Sequence, residues 1–161
     1  MVADCRLDSA ALVVELGPGT GVFTREILRA AGAHTRILAL ELDERAVVRL
    51  RRAFPRVEVF HDSAEAILRY VAQTGLPWAD CVISGLPWSA MPAEVQGRIM
   101  RNVAAALRPG GTFTTFAYLL VRATPAGRRY QALLRTLFRE VRLGAPVWRN
   151  LPPAVVYRCV K

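Results

Sequence analysis

An apolar run at residues 11–16 ends in Glu15-Leu16 and passes directly into Gly17-Pro18-Gly19-Thr20-Gly21; behind it, 22–31 carries Phe23, Ile27 and Leu28 at helical spacing. A strand that turns into a helix through three glycines sets backbone rather than side chains against its ligand, because glycine has no Cβ and tolerates positive φ. Such turns belong to open α/β folds, which bind ligands at the C-terminal ends of their parallel strands. The rest of the chain has the matching alternation. Strand-length apolar runs at 37–42, 57–60, 80–84, 112–118, 140–148 and 154–160 are separated, through the first five strands, by helical patterns at 44–53, 64–72 and 94–107, and a last helix is expected at 127–139. Strand five is expected to begin beyond the turn Arg108-Pro109-Gly110-Gly111, and the last two strands, joined by Asn150-Leu151-Pro152-Pro153, to pair antiparallel.

A chain of 161 residues, 53% of them hydrophobic, is long enough for one buried core, so a single domain over 1–161 is expected. The formal charge is +9, and Lys161 is the sole lysine among 22 cationic side chains. Arginine matches phosphate and carboxylate bidentately, so the excess suits an anionic membrane surface, RNA or a phosphorylated substrate, while a solvated basic surface accounts for it equally well. Cys5, Cys81 and Cys159 are odd in number and lack Cys-x-x-Cys spacing, which argues against a disulfide framework and a zinc site and fits a reducing cytoplasm. No metal is expected. No run approaches the ~20 apolar residues that span a bilayer, and no signal peptide precedes the first strand. That strand starts so early that little chain is left to cover a ligand. An upstream segment is therefore expected in the natural protein, with weak cofactor binding by this chain alone.

Gly17, Gly19 and Gly21 are the residues expected to line the cofactor. Glu15 stands just ahead of them, and Glu41 ends strand two about twenty residues beyond, where an acid accepts hydrogen bonds from ribose hydroxyls in nucleotide-binding folds. Asp43, directly before Glu44, suits a cap for the second helix. An NAD-dependent reading would use the same residues, but Gly-x-Gly-x-Gly departs from the Gly-x-Gly-x-x-Gly dinucleotide spacing.

The segments Val14-Glu15-Leu16-Gly17-Pro18-Gly19-Thr20-Gly21 and Leu40-Glu41-Leu42-Asp43 resemble the first two motifs of class I S-adenosyl-L-methionine-dependent methyltransferases, and His61-Asp62-Ser63 resembles the third. The resemblance implies a doubly wound, Rossmann-like α/β fold with a mostly parallel seven-stranded sheet whose last strand is antiparallel. It also implies that Glu15 helps hold the methionine end of S-adenosyl-L-methionine, that Gly17, Gly19, Thr20 and Gly21 pass under it, that Glu41 with Leu42 grips the ribose, and that Asp62 with Ser63 meets the adenine. A cap for the helix starting at Ala64 is the alternative role for Asp62.

Strand four ends in Ser84-Gly85-Leu86-Pro87-Trp88, at the edge where ligands meet such a sheet. The loop is similar to the Asn-(Leu or Pro)-Pro-(Tyr or Phe) motif of amino-methyltransferases, with Gly85 in place of the asparagine that would accept a hydrogen bond from an aromatic amine. Backbone carbonyls remain as acceptors. Together with Val147-Trp148-Arg149-Asn150-Leu151-Pro152-Pro153-Ala154, the loop and the glycine motif resemble bacterial phospholipid N-methyltransferases, which are similar in turn to ribosomal RNA adenine dimethyltransferases. That resemblance, from Val13 to Val160, implies a phosphatidylethanolamine-type acceptor and a cytoplasmic protein peripheral to the inner membrane face. Ser84 would belong to both the cofactor and the catalytic sets. Trp88 and Tyr118 offer aromatic faces to a methylated ammonium, or ordinary packing. Arg149 would bind a substrate phosphate, with a buried salt bridge as its alternative. Arg128, Arg135 and Arg139 would share one face of the last helix, usable at an anionic bilayer or simply solvated. The competing functions are an RNA or small-amine N-methyltransferase and a cofactor-binding module without catalysis.

Overall fold

The structure, a computed structural model, describes residues 2, 5–148 and 150–161. Its strands and helices run β1 (Leu12–Leu16), α1 (Val22–Ala30), β2 (Arg36–Glu41), α2 (Glu44–Ala53), β3 (Glu58–His61), α3 (Ile67–Gln73), β4 (Ala79–Ser84), α4 (Ala93–Ala106), β5 (Leu107–Tyr118), α5 (Leu119–Arg122), α6 (Pro125–Leu137), β6 (Glu140–Leu143) and β7 (Ala154–Val160). The seven strands form one sheet in the order β3-β2-β1-β4-β5-β7-β6. β7 pairs antiparallel with both neighbours and every other pairing is parallel. This is the doubly wound, Rossmann-like seven-stranded fold expected from the motifs.

Strand parity divides the core. Leu12, Val14 and Leu16 of β1 enter one cluster with Ile67, Val71, Ile99 and Leu134 from α3, α4 and α6. Val13 faces the opposite layer, with Ile27 of α1 and Val47 and Leu50 of α2. Successive side chains alternate across a strand, so Glu15 shares the side of Val13 and points toward α1. All five residues of β1 are buried, as a central parallel strand requires. The order also reverses here: β1 lies between β2 and β4, and the crevice at the C-terminal ends of such strands is where these folds bind ligands.

Several boundaries differ from the sequence expectation. β5 begins at Leu107, which pairs with Ala79; a register shift follows, and the ladder resumes at Cys81 and Thr112. Arg108-Pro109-Gly110-Gly111 is thus an irregularity inside the strand. Asp80 holds it, taking the Arg108 Nε at 2.7 Å on one oxygen and the amides of Ala11 and Leu12 on the other. The helix expected at 64–72 is split: a 3-10 turn at Ala64–Ala66 leads into α3, and the cap is Ser63, whose hydroxyl accepts from the Glu65 amide, rather than Asp62. α5 was not anticipated. α6 starts at Pro125, capped by Thr124, and ends before Arg139, so only Arg128 and Arg135 of the expected basic trio lie on it. β6 stops at Leu143 because Gly144-Ala145-Pro146 follows and proline has no amide for the ladder; Val147 makes a single bridge to Ala154. Asp43 caps α2 as expected, accepting from the Arg45 amide at 2.9 Å.

Candidate active site

The glycine turn is built by close backbone packing. Gly17, Gly19 and Gly21 have φ of 66°, 55° and 81°, a region that disfavours L side chains. A Cβ on Gly17 would lie 2.6 Å from Leu86 Cδ2, and one on Gly85 would lie 2.5 Å from the Gly17 carbonyl oxygen. The first motif loop and the loop after β4 therefore touch, and Gly85 stands where the amino-methyltransferase motif has asparagine because no side chain fits against that carbonyl. Glu41 braces the turn: its Oε2 accepts from the Gly19 amide at 2.9 Å, and its Oε1 from the amides of Leu42 and Asp43 at 2.8 and 3.0 Å.

Glu15 lies beneath this turn, fully buried. One oxygen accepts the Thr24 hydroxyl at 2.7 Å, and the other, Oε1, has no hydrogen-bond partner. Burial pushes its carboxyl up to about 7, against the opposing hydrogen bond from Thr24. A buried acceptor without a donor is costly, so this oxygen fits a cationic ligand group. Glu15 lines none of the clefts at the sheet edge, which distinguishes it from Glu41.

Three cavities meet around residues 85–88. One of about 190 Å³ is lined by Glu41, Leu42, Asp62, Ser63, Gly17 and Leu86. A larger one of about 770 Å³ runs over Gly17, Gly19, Thr20, Phe23, Gly85 and Tyr118. A third, of about 170 Å³, lies against Leu86, Pro87 and Trp88 and shares Phe116 and Tyr118 with the second. The acids and small residues expected to hold the cofactor, Glu15 and Ser84 excepted, thus line the first two or, like Gly21, support the turn. Asp62 is also engaged by residues that sequence reasoning missed: its Oδ2 accepts the Tyr70 hydroxyl at 2.9 Å and pairs with Arg69, while Oδ1 accepts the Ser63 amide at 2.7 Å. The Tyr70 hydrogen bond leads in lowering its pKa. Tyr70 stacks on Phe60 at 4.1 Å and packs the wall beside the first cavity; its place one helical repeat after Ser63 was the available signal.

The loop after β4 is rigidly held. Ser84 is buried and its hydroxyl accepts from the Leu86 amide at 3.2 Å. Trp88 is only 3% exposed: its Nε1 donates to Thr115 at 3.0 Å, its carbonyl accepts Gln96 Nε2 at 2.7 Å, and its ring stacks on Tyr130 at 5.2 Å. Of the two roles open to Trp88, an aromatic face for a cation and ordinary packing, the structure shows a clamped, packed ring in a cavity wall. Tyr118 ends β5 half-exposed, edge-on to Phe116 at 5.6 Å, and borders two cavities. The carbonyls of Ser84, Leu86, Pro87 and Trp88 all accept internal hydrogen bonds. Among the described residues none donates to the Gly85 carbonyl, the loop's free acceptor. Arg149 lies outside the described residues. Among the described residues, no cluster of His, Cys, Asp or Glu is arranged to hold a metal ion, and no helix is long and apolar enough to cross a membrane.

A glycine turn between β1 and α1, an acid closing β2 and a clamped loop after β4 define a class I methyltransferase site, and the chain belongs to the methyltransferase domain family, which it matches over residues 13–111. It is similar to an ornithine lipid N-methyltransferase of Singulisphaera acidiphila, 34% identical over 155 residues that cover 94% of this chain and 77% of the relative. It is also similar to a ribosomal RNA small subunit methyltransferase A of Acidobacterium capsulatum, 31% identical over 94% of this chain, which spans only 54% of that protein. The solved fibrillarin of Aeropyrum pernix, with natively bound S-adenosyl-L-methionine, has the same fold: TM-score 0.73 at 15% identity, covering 95% of this chain and 68% of that one. S-adenosyl-L-methionine is the cofactor, and the side-chain-free turn fits a ligand lying against backbone.

Proposed function

We propose that the chain is an N-methyltransferase acting on the amine head group of phosphatidylethanolamine-type or related amino lipids at a membrane surface. The observation that carries this reading is the apolar collar around the cleft mouth. Val22 is 58% exposed, Leu120 76%, Trp148 71% and Leu151 94%. Val22, Val147 and Leu151 line the larger cavity, Trp148 is adjacent to Val147, and Leu120 follows Tyr118 on α5. Full burial of such a side chain is worth about 1.5–3 kcal/mol, so a lipid interface gains from all of them together. Arg25, one turn from Val22, adds the attraction to anionic head groups that makes a two-signal anchor.

When bound, S-adenosyl-L-methionine supplies an electrophilic methyl on a positively charged sulfur. Glu41, Asp62 and the glycine turn would hold it, with Leu42 and Ser63 closing the wall of the smaller cavity, and the buried Glu15 carboxylate would lend its charge from behind the turn. The chain's part in the chemistry is alignment and exclusion of water. The acceptor amine attacks as a neutral lone pair, so it first gives up its proton to water; the Gly85 carbonyl and the Tyr118 hydroxyl would accept its remaining N–H hydrogens and aim the lone pair. Phe116 and Tyr118 give aromatic surface to the cation that forms.

The test is label transfer from methyl-labelled S-adenosyl-L-methionine in the presence of phosphatidylethanolamine vesicles, ornithine lipid vesicles or ribosomal RNA. Label in lipid, reduced several-fold by the paired Trp148→Ala and Leu151→Ala changes, is expected. Label in RNA alone, independent of vesicles, overturns the reading.

A further inference from the structure

The smallest of the three cavities has a chemistry that methyl transfer itself does not require. Its walls are mainly apolar and aromatic, from Trp88, Tyr130 and Phe116; Ser89 and Tyr118 also border it, and Arg122 at the end of α5 and Tyr157 of β7 bring polar groups to it. Tyr157 is 1% exposed, and its hydroxyl has no hydrogen-bond partner. Burial pushes this phenol up, while Arg122 and Arg135 act on it in the opposite direction. Arg122 is half-buried, and none of the ion pairs among the described residues uses it. α5 is held over this cavity by Gly127, where a Cβ would overlap the Val121 carbonyl and the Arg122 backbone. A guanidinium without an acid and a phenol O–H without an acceptor, facing one low-dielectric space, are both donors awaiting an anion.

We propose that this cavity is an acceptor subsite that binds the anionic group of a zwitterionic amino lipid, a phosphate or a carboxylate, through the Arg122 guanidinium and the Tyr157 hydroxyl. The proposal rests on the reading of the chain as an amino-lipid methyltransferase and names the feature of the lipid it selects. Location supports it: Leu86 and Pro87 of the catalytic loop and Tyr118 form one side of the cavity, so an anion held by Arg122 leaves the amine on the side of Gly85. Charge supports it as well. The reactive form of a zwitterionic head group has a neutral amine and is therefore a net anion. Arg122 stabilises that form: by neutralising the anionic group it removes that group's stabilisation of the ammonium, which cannot attack. Arg122 would thus bind substrate and favour its deprotonation.

The experiment compares the intact chain with Arg122→Gln and Tyr157→Phe, both checked by thermal unfolding and by calorimetric S-adenosyl-L-methionine binding, where little change is expected. Turnover is measured on vesicles carrying phosphatidylethanolamine, N-acylated ornithine, or hexadecylamine, which has the amine and no anion. Loss of a charge-assisted hydrogen bond predicts that Arg122→Gln lowers kcat/KM about 10- to 100-fold on a zwitterionic lipid and by less than about twofold on hexadecylamine. Tyr157→Phe should show the same selectivity with a smaller loss. The lipid that suffers identifies phosphate or carboxylate as the anion. Equal loss on all three substrates, or no loss, overturns the subsite. Binding of dihexanoyl phosphatidylethanolamine or N-hexanoyl ornithine, against hexylamine, followed by tryptophan fluorescence, separates this from the proposed function. If no amine is methylated but a zwitterion still binds in an Arg122-dependent way, the proposed function fails and the subsite stands. If neither zwitterion depends on Arg122, the subsite fails.

Discussion

Glu15→Gln isolates the electrostatic cost of the cofactor site. The Glu15 carboxyl titrates near 4.5 when solvated and is pushed up to about 7 in the folded chain, with desolvation the largest cause. Between those values the folded state keeps a proton that the unfolded state has lost, so stability falls as pH rises through the window. A difference of about 2.5 units corresponds to about 3 kcal/mol, fully lost by pH 8. Glutamine keeps an oxygen for the Thr24 hydroxyl and cannot ionise; against the gain stands about 1 kcal/mol or more for a buried amide N–H without an acceptor. Urea unfolding of both proteins from pH 5 to pH 8, without ligand, should show the wild type losing about 2.5 kcal/mol relative to the variant, the rest of the loss falling below pH 5. Taking the difference cancels carboxylates such as Asp62 and Glu65, whose lowered pKa values act in the opposite direction and are common to both proteins. The same carboxylate should discharge its proton when a cation binds. Wild-type affinity for S-adenosyl-L-methionine therefore rises with pH toward about 7, and the variant binds more weakly with a flat profile. Parallel stability curves, or a flat wild-type binding profile, would refute the assignment of Glu15 as a desolvated partner for the ligand's positive charge.

Gly85→Asn, which recreates the amino-methyltransferase motif, should not confer adenine methylation. Its Cβ would press on the Gly17 carbonyl at 2.5 Å, and a loss of about 1–3 kcal/mol in thermal unfolding with weakened cofactor binding is expected. Glu41→Gln loses acceptors for either the Gly19 amide or the Leu42 and Asp43 amides. It should cost about 1–3 kcal/mol and loosen the turn, seen as faster amide hydrogen exchange at Gly19. Trp88→Phe keeps the stack on Tyr130 but removes the donor to Thr115; a stability loss of about 1 kcal/mol is expected by urea unfolding, with turnover reduced more than cofactor affinity.

The cofactor half of the site was legible because its parts are local. A glycine turn must follow its strand directly, the acid that braces it ends the next strand, and Asp43 must precede the helix it caps, so chain spacing and spatial arrangement coincide. The acceptor half has no such spacing. Trp88 looks like an exposed aromatic until Thr115, Gln96 and Tyr130, from three later elements, close on it. Tyr157 reads as one residue of an alternating strand, and only the antiparallel placement of β7 between β5 and β6 brings its hydroxyl to the cavity that Arg122 borders. The start of β5 was misjudged for the same reason. A Pro-Gly-Gly turn normally separates elements, but Asp80 and Lys161, whose amine donates to the Leu107 carbonyl at 2.6 Å, hold it within the sheet. The glycine turn and its acids thus lie on βα units, each local in the chain, whereas the proposed acceptor subsite depends on contacts between α5, α6 and β7 that form only when the sheet is complete. Changes in those three elements can therefore alter the acceptor while the glycine turn and its acids remain untouched.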